Sequence, residues 1–265
     1  GYKLAKPENF KNAYDSGWQN FIPFIATIAG MIAFDLLKGV IIGIVIVLLY
    51  RIKKGEKASI TLTKEIRDSI TPTEAITMLK EGNERFVNNL NANRNLLKQV
   101  NETSDSQHPF AIILSCIDSR TSAELIFDQG LGDIFSCRIA GNILNEDILG
   151  SMEFACKFAG AKLIMVLGHT ACGAVKGACD DVKAGHLTDL LRKIKPAIKH
   201  EKTIKEHRNA NNDKFVDKVA EMNILEVLKQ IPKESEILQD MLKKEQIVLV
   251  GGMYDITSGV VKFYH

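Results

Sequence analysis

One long apolar run, residues 21–50, limits what the N-terminal part of this chain can become. It reads FIPFIATIAGMIAFDLLKGVIIGIVIVLLY, and only Asp35 and Lys38 within it carry a charge. A straight helix of this length would measure about 45 Å, whereas the hydrocarbon core of a bilayer is about 30 Å thick. A charge at the bilayer centre costs about 3 kcal/mol. We therefore favour a helical hairpin that turns near Asp35 and Lys38 over a single membrane span.

The flanks of the apolar run bear on its orientation. Both carry basic residues, which favour the cytoplasmic side of a membrane. A hairpin places both flanks on that side, and the soluble part is expected there in either arrangement. A signal peptide would be shorter and would end at a small-residue cleavage site, and a buried core helix would not need so long a run without charge. The basic residues are Lys3, Lys6, Lys11, Arg51, Lys53, Lys54 and Lys57.

Composition excludes several classes for the remainder. The chain has 265 residues, of which 46% are hydrophobic, and a net charge of +2. This balance is typical of a globular protein and excludes general disorder. It also argues against a nucleic-acid partner, which would call for a basic excess. The five cysteines are too few for a disulfide scaffold of this length, and an odd number suits a reducing compartment.

Residues 53–70 are polar and of mixed charge, and we interpret them as a linker between a membrane segment, 1–52, and a soluble domain, 71–265. Thr71, Pro72 and Glu74 have the spacing of a capping box at a helix start. Short apolar runs then alternate with amphipathic stretches, which predicts an α/β fold with a mostly parallel sheet flanked by helices. The predicted strands are 110–116, 133–140, 162–169 and 247–254, with an edge strand near the C-terminus and a helical region over 186–245.

Three potential metal ligands end two of these strands. Cys116 ends the first, His169 ends the third, and Cys172 comes three residues later. Because parallel strands bring their carboxyl ends to one edge of the sheet, the three side chains can converge there. Two thiolates and an imidazole suit Zn²⁺ and leave a fourth position for water. The alternative is two buried core cysteines and a histidine in a loop.

Asp118 and Arg120 add a charge pair beside this group, although alone they could be a salt bridge in a turn. Taken together, the segments resemble the β-class carbonic anhydrases over roughly residues 71–265. The similarity is carried by CIDSR and GHTACGA, and in the same order by LKEGNERFV, RIAGN, GSMEFA and YDITSGVVKF.

The resemblance implies zinc as the cofactor and CO₂ and bicarbonate as the substrates. It makes Cys116, His169 and Cys172 the zinc ligands and Asp118 and Arg120 the catalytic dyad. Substrate-binding roles fall on Gln107 and Phe135. Gly173, directly after Cys172, would let the backbone approach the pocket closely, and the alternative is an ordinary glycine at a helix start. Phe154 stands where many members have tyrosine, which removes one hydroxyl from the pocket. The family builds its pocket across a dimer interface, so we expect a homodimer or a higher even oligomer. 

A second resemblance concerns residues 18–52. They are similar to the last transmembrane hairpin of SulP-type anion transporters, in their FIPF start, their central DLLKG and their basic end. This implies a transport core upstream, since the chain begins at Gly1. We expect a zinc-dependent CO₂ hydratase tethered to a bacterial inner membrane, facing the cytoplasm and coupled to bicarbonate or inorganic anion transport. The alternative is a zinc module of the same fold that is regulatory, or that acts on carbonyl sulfide or carbon disulfide.

Overall fold

The computed structural model describes residues 10–11, 14, 18–33, 40–46 and 61–264. The chain divides into two compact units, Gly1–Lys57 and Ala58–His265. The predicted turn at Asp35 and Lys38, most of the basic flanks, and residues 53–60 of the predicted linker lie outside the described residues.

The first unit contains a helix, Trp18–Ala33, and a second helical stretch over residues 40–46. The two approach closely, because a Cβ added to Gly43 would collide with the Thr27 hydroxyl. That hydroxyl donates to the Pro23 carbonyl at 2.8 Å. Small residues at a contact let helix backbones pack tightly. Within the described residues, no helix combines the length and the apolarity needed to cross a membrane.

The second unit is built on one five-stranded sheet with the order β2-β1-β3-β4-β5. The first four strands are parallel and β5 is antiparallel to β4, which confirms the mostly parallel sheet and the C-terminal edge strand. Every residue of β1 and β3 is buried, as expected for strands covered by helices on both faces. The strands are β1 Ala111–Ser115, β2 Ile134–Arg138, β3 Leu163–His169, β4 Val248–Tyr254 and β5 Val261–Tyr264.

The helices mostly start where side chains can cap them. Thr71 and Glu74 form the predicted capping box, with Pro72 in the first turn. The helices of this unit are α1 Lys64–Ser69, α2 Pro72–Val87, α3 Leu96–Glu102, α4 Ala123–Ile126, α5 Glu146–Glu153, α6 Gly173–Cys179, α7 Leu187–Arg192, α8 Lys195–His200, α9 Asp213–Glu234 and α10 Glu236–Lys243.

Two departures from regular helix were not predicted. A π-helical turn, Phe154–Phe158, extends α5. The helical region expected over 186–245 is interrupted at residues 201–212. There the Glu201 carboxylate is buried and accepts the N–H groups of Thr203 and Ile204 and an Nη1–H of Arg208. A buried ion pair with these backbone contacts stabilises an irregular path in place of a helix.

The folded part also begins earlier than residue 71, so the predicted linker, 53–70, is too long at its C-terminal end. Thr63 caps α1, and Arg67 within that helix is buried. The Arg67 guanidinium donates to the Ala159 carbonyl and occupies the space where a Cβ on Gly160 would lie. This contact spans 92 residues, so no local pattern indicated it.

A buried carboxylate attaches the end of α2 to the segment that follows α4, and it supports a stability prediction. Asp128 accepts hydrogen bonds from Arg85, Arg94 and the Ala92 amide. Burial acts to raise the pKa of Asp128, but the two guanidinium groups outweigh it and leave that pKa below its usual value.

We expect Asp128→Asn to lower the free energy of unfolding at pH 7 by about 3 kcal/mol, because it leaves two arginines without their anion. A lowered folded-state pKa contributes stability that is present above the unfolded-state pKa and is lost as pH falls. The gap between wild type and variant should therefore narrow only below about pH 4. Urea unfolding at pH 7 and pH 3 measures this difference in the free energy of unfolding. An equal difference at both pH values would contradict the role of ionised Asp128 as the anion for Arg85 and Arg94.

Candidate metal centre

The carboxyl ends of β1 and β3 bring three metal-ligating side chains together. Cys116 follows β1, His169 ends β3 and Cys172 precedes α6. Their ligand atoms all lie within 4.8 Å of one another, and all three residues are buried. The two sulfurs are 3.9 Å apart, and all five cysteines of the chain are free thiols. The structure thus brings together the residues that the sequence predicted as ligands.

The imidazole of His169 is oriented for a metal. Its Nδ1 lies 2.9 Å from the Thr170 carbonyl, which can only accept, so Nδ1 carries the proton. Nε2 then presents a lone pair, yet it is buried without a hydrogen-bond partner. Buried polar atoms are rarely left unpaired, and a metal ion would satisfy this one.

The electrostatics of the two thiols also fit a cation. Hydrogen bonding from Cys172 lowers the pKa of Cys116, with help from the amides of Gly141 and Asp118. The Cys116 sulfur and burial raise the pKa of Cys172 above its usual value. The two sulfurs, 3.9 Å apart, would therefore repel each other if both were ionised. A divalent ion removes that repulsion, and this donor set suits zinc.

Asp118 and Arg120 form the expected pair. Arg120 donates through Nε to one carboxylate oxygen at 2.9 Å and through Nη2 to the other at 2.7 Å. The Arg120 amide adds a third bond at 3.0 Å. These bonds hold the pKa of Asp118 well below its usual range. Asp118 is consequently a fixed, ionised acceptor close to the cysteine–histidine group.

Two further residues hold this loop and were given no role from the sequence. Arg138, at the end of β2, donates to the carbonyls of Cys116 at 3.1 Å and Asp118 at 2.6 Å. The Thr121 hydroxyl lies within 3.0 Å of the same two carbonyls. Arg138 lies in the RIAGN segment, and its β2 position pairs with Ser115 of β1, which places its side chain beside the loop. The pairing of Arg138 with Ser115 could have indicated this role, but that pairing is known only from the folded sheet.

Of the predicted substrate-binding residues, Gly173 directly follows Cys172, whereas Gln107 and Phe135 lie on other segments of the chain. Gln107 is exposed in the segment before β1. Phe135, on the edge strand β2, is half-buried and contacts Phe154 with a ring separation of 6.3 Å. Gly173 starts α6, and a Cβ there would meet no atom within 4 Å, so packing inside this chain does not require glycine. The substrate-binding roles of all three stay predictions.

A parallel α/β sheet with a buried cysteine–histidine–cysteine group at its carboxyl edge defines a class of protein with a three-residue metal site. Comparison with known proteins identifies the family. A family model described as carbonic anhydrase matches residues 111–261. The carbonic anhydrase of Mycolicibacterium smegmatis is 33% identical over 198 residues, covering 72% of this chain and 92% of that protein. This chain therefore belongs to the carbonic anhydrase family of enzymes.

Solved structures agree and specify the class. A β-carbonic anhydrase of Coccomyxa, crystallised with acetazolamide, is 25% identical, covers 61% of this chain and 74% of its own, and has a TM-score of 0.55. A tetrameric β-carbonic anhydrase of Sordaria macrospora shares the fold at 23% identity and a TM-score of 0.54, covering 62% of this chain and 84% of its own. The second unit, Ala58–His265, is a β-class carbonic anhydrase domain.

Proposed function

We propose that this chain catalyses the zinc-dependent, reversible hydration of CO₂ to bicarbonate and a proton. The observation that carries the proposal is the buried Cys116, His169 and Cys172 group, with its orphaned imidazole nitrogen, beside the Asp118–Arg120 pair. Family membership supports the reaction. Three protein ligands leave a fourth position for water or substrate.

The residues around this centre have different roles. Bound zinc would supply hydroxide at neutral pH, because it lowers the pKa of a coordinated water from 15.7 to about 7. Arg120 keeps Asp118 ionised and prevents its carboxylate from turning onto the metal. Asp118 can then accept a hydrogen bond from the nucleophile and aim its lone pair at CO₂. Gln107, contributed by a partner subunit, would donate to the bicarbonate oxygen.

Stopped-flow CO₂ hydration by the chain of residues 1–265 in mild detergent, with zinc measured on the same sample, tests this proposal. We expect hydration with about one zinc per chain and inhibition by acetazolamide, which the Coccomyxa relative binds. Bound zinc without hydration between pH 7 and 9 would contradict it. That outcome would favour a regulatory module or an enzyme for carbonyl sulfide or carbon disulfide.

We also propose an even oligomer, which the surface near β2 supports. Phe154 and Phe158 stack with ring centres 6.3 Å apart, and their exposed fractions are 55% and 77%. Aromatic residues this exposed favour an interface. Because β2 is an edge of the sheet and Phe135 lies on it, a partner chain there would complete the pocket. Sedimentation in mild detergent measures the mass, and a monomer that is fully active would contradict a shared pocket.

We also propose that residues 1–52 hold the domain at a bacterial inner membrane, on its cytoplasmic side and next to a SulP-type transport core. The apolar run, the SulP resemblance of residues 18–52 and the close approach at Gly43 and Thr27 support this arrangement. Bicarbonate formed beside the transport core would then be available for transport, and bicarbonate that has been transported would be available to the enzyme. Protease accessibility in inside-out and right-side-out vesicles tests it, and recovery of the chain in the supernatant after alkaline extraction would contradict it.

A further inference from the structure

Helix α9 lies directly behind the two segments that carry the metal ligands. Ile224 of α9 packs on the sheet where glycines leave room, since a Cβ on Gly168 or on Gly251 would lie 2.7 Å from its side chain. Gly168 immediately precedes His169. The helix therefore approaches β3 closely at the base of the metal site.

One polar side chain of α9 reaches the segment that contacts Cys116. Asn223 is only 2% exposed, and its Nδ2 donates to the Gly141 carbonyl at 2.9 Å. Gly141 has a φ of +68° and donates its own N–H to the Cys116 sulfur at 3.3 Å. No side chain fits at Gly141, because a Cβ would lie 2.7 Å from Ile194. Asn223 thus holds the residue whose amide contacts the first thiolate.

A second polar side chain of α9 holds the segment between the other two ligands. Asp217 accepts the Ala171 N–H at 2.9 Å. Ala171 lies between His169 and Cys172 and has a φ of +54°, a conformation that costs a non-glycine residue about 1–2 kcal/mol. The Asp217 bond helps to offset this cost. Asp217 and Asn223 are six residues apart, about 9 Å along the helix axis, so each reaches a different segment.

We propose that Asp217 and Asn223 are positioning residues, through which α9 holds the cysteine–histidine–cysteine group in metal-binding geometry. The inference rests on the proposed zinc function. Neither side chain contacts a reacting atom, and each acts through a backbone amide next to a ligand. Groups outside the ligand set typically change metal affinity about 10- to 100-fold when removed, because they orient the ligands.

Metal binding by the full chain tests this directly. Metal-free protein, kept reduced, is titrated with Zn²⁺ against a chromophoric chelator, and separately with Co²⁺ while the sulfur-to-cobalt absorption bands are recorded. Asn223→Asp keeps the shape of the side chain but cannot donate, and Asp217→Ala removes the acceptor. We expect each variant to bind zinc about 10- to 100-fold more weakly and to shift the cobalt bands.

Two matched variants separate positioning from general stability. Ile231→Ala truncates a buried residue of the same helix away from the site, and should lower stability without changing affinity or spectrum. Asp217→Asn keeps an acceptor oxygen and should retain the wild-type zinc affinity and cobalt spectrum. Wild-type affinity and spectrum in Asn223→Asp and Asp217→Ala would overturn this inference alone. Failure of the wild-type chain to bind metal would overturn the proposed function as well.

Discussion

Replacing Arg120 with alanine is expected to reduce CO₂ hydration about 10- to 100-fold while the zinc content stays at about one per chain. The side chain supplies two of the three hydrogen bonds on the Asp118 carboxylate, at 2.9 and 2.7 Å. Without them the pKa of Asp118 returns toward its ordinary value, and the carboxylate is free to turn toward the metal and block the fourth position. The measurement is stopped-flow hydration with zinc analysis on the same sample.

Matched variants sharpen this result. Arg192 forms an exposed ion pair with Asp189 on α7, so Arg192→Ala removes the same side chain without touching the site and should leave activity unchanged. Arg120→Lys keeps a positive charge but loses the planar fork, and should fall between wild type and Arg120→Ala. Full activity in Arg120→Ala would exclude a catalytic role for the Asp118–Arg120 pair. Loss of zinc in that variant would instead show that Arg120 helps to assemble the metal site.

Replacing Cys172 with serine is expected to abolish hydration together with zinc binding. Structural zinc sites provide roughly 10–16 kcal/mol, so one of their ligands accounts for about 4 kcal/mol, or about 10³-fold in affinity. The remaining Cys116 and His169 also lose the sulfur that lies 3.9 Å from Cys116. Chelator competition measures the affinity, and the stopped-flow assay measures the activity.

The same substitution at Cys179 provides the control. Cys179 ends α6, the helix that follows Cys172, is half-buried and lies outside the ligand group. Cys179→Ser should keep its zinc and its activity. That result would exclude the alternative that losing any thiol from this region lowers zinc binding. Zinc binding at wild-type strength in Cys172→Ser would disprove its role as a ligand.

The strands were predictable because their signals are local. The run over 162–169 matches β3, and the Thr71–Glu74 capping box forms between residues three apart. The ligand group was predictable for a related reason. Parallel strands place their carboxyl ends together whatever the details of packing, so Cys116 and His169 converge once both strands are recognised. The similarity to β-class carbonic anhydrases then assigned Asp118 and Arg120.

The errors and omissions arise where distant segments meet. The start of the folded unit depends on Arg67 and Ala159, which are 92 residues apart. Asn223 reaches Gly141 across 82 residues, and Asp217 reaches Ala171 across 46. A single asparagine or aspartate on a long amphipathic helix resembles any polar surface residue, and only packing shows that these are held against the ligand segments.

The sequence by itself determined the class of fold, the three candidate metal ligands and the charged pair beside them, because strand patterns and ligand chemistry depend on residue type and short spacings. Only the tertiary structure decided the proton position on His169, the opposite pKa shifts of the two cysteines and the support from α9. These properties depend on burial and on the direction of hydrogen bonds between remote residues, which exist only after the chain has folded.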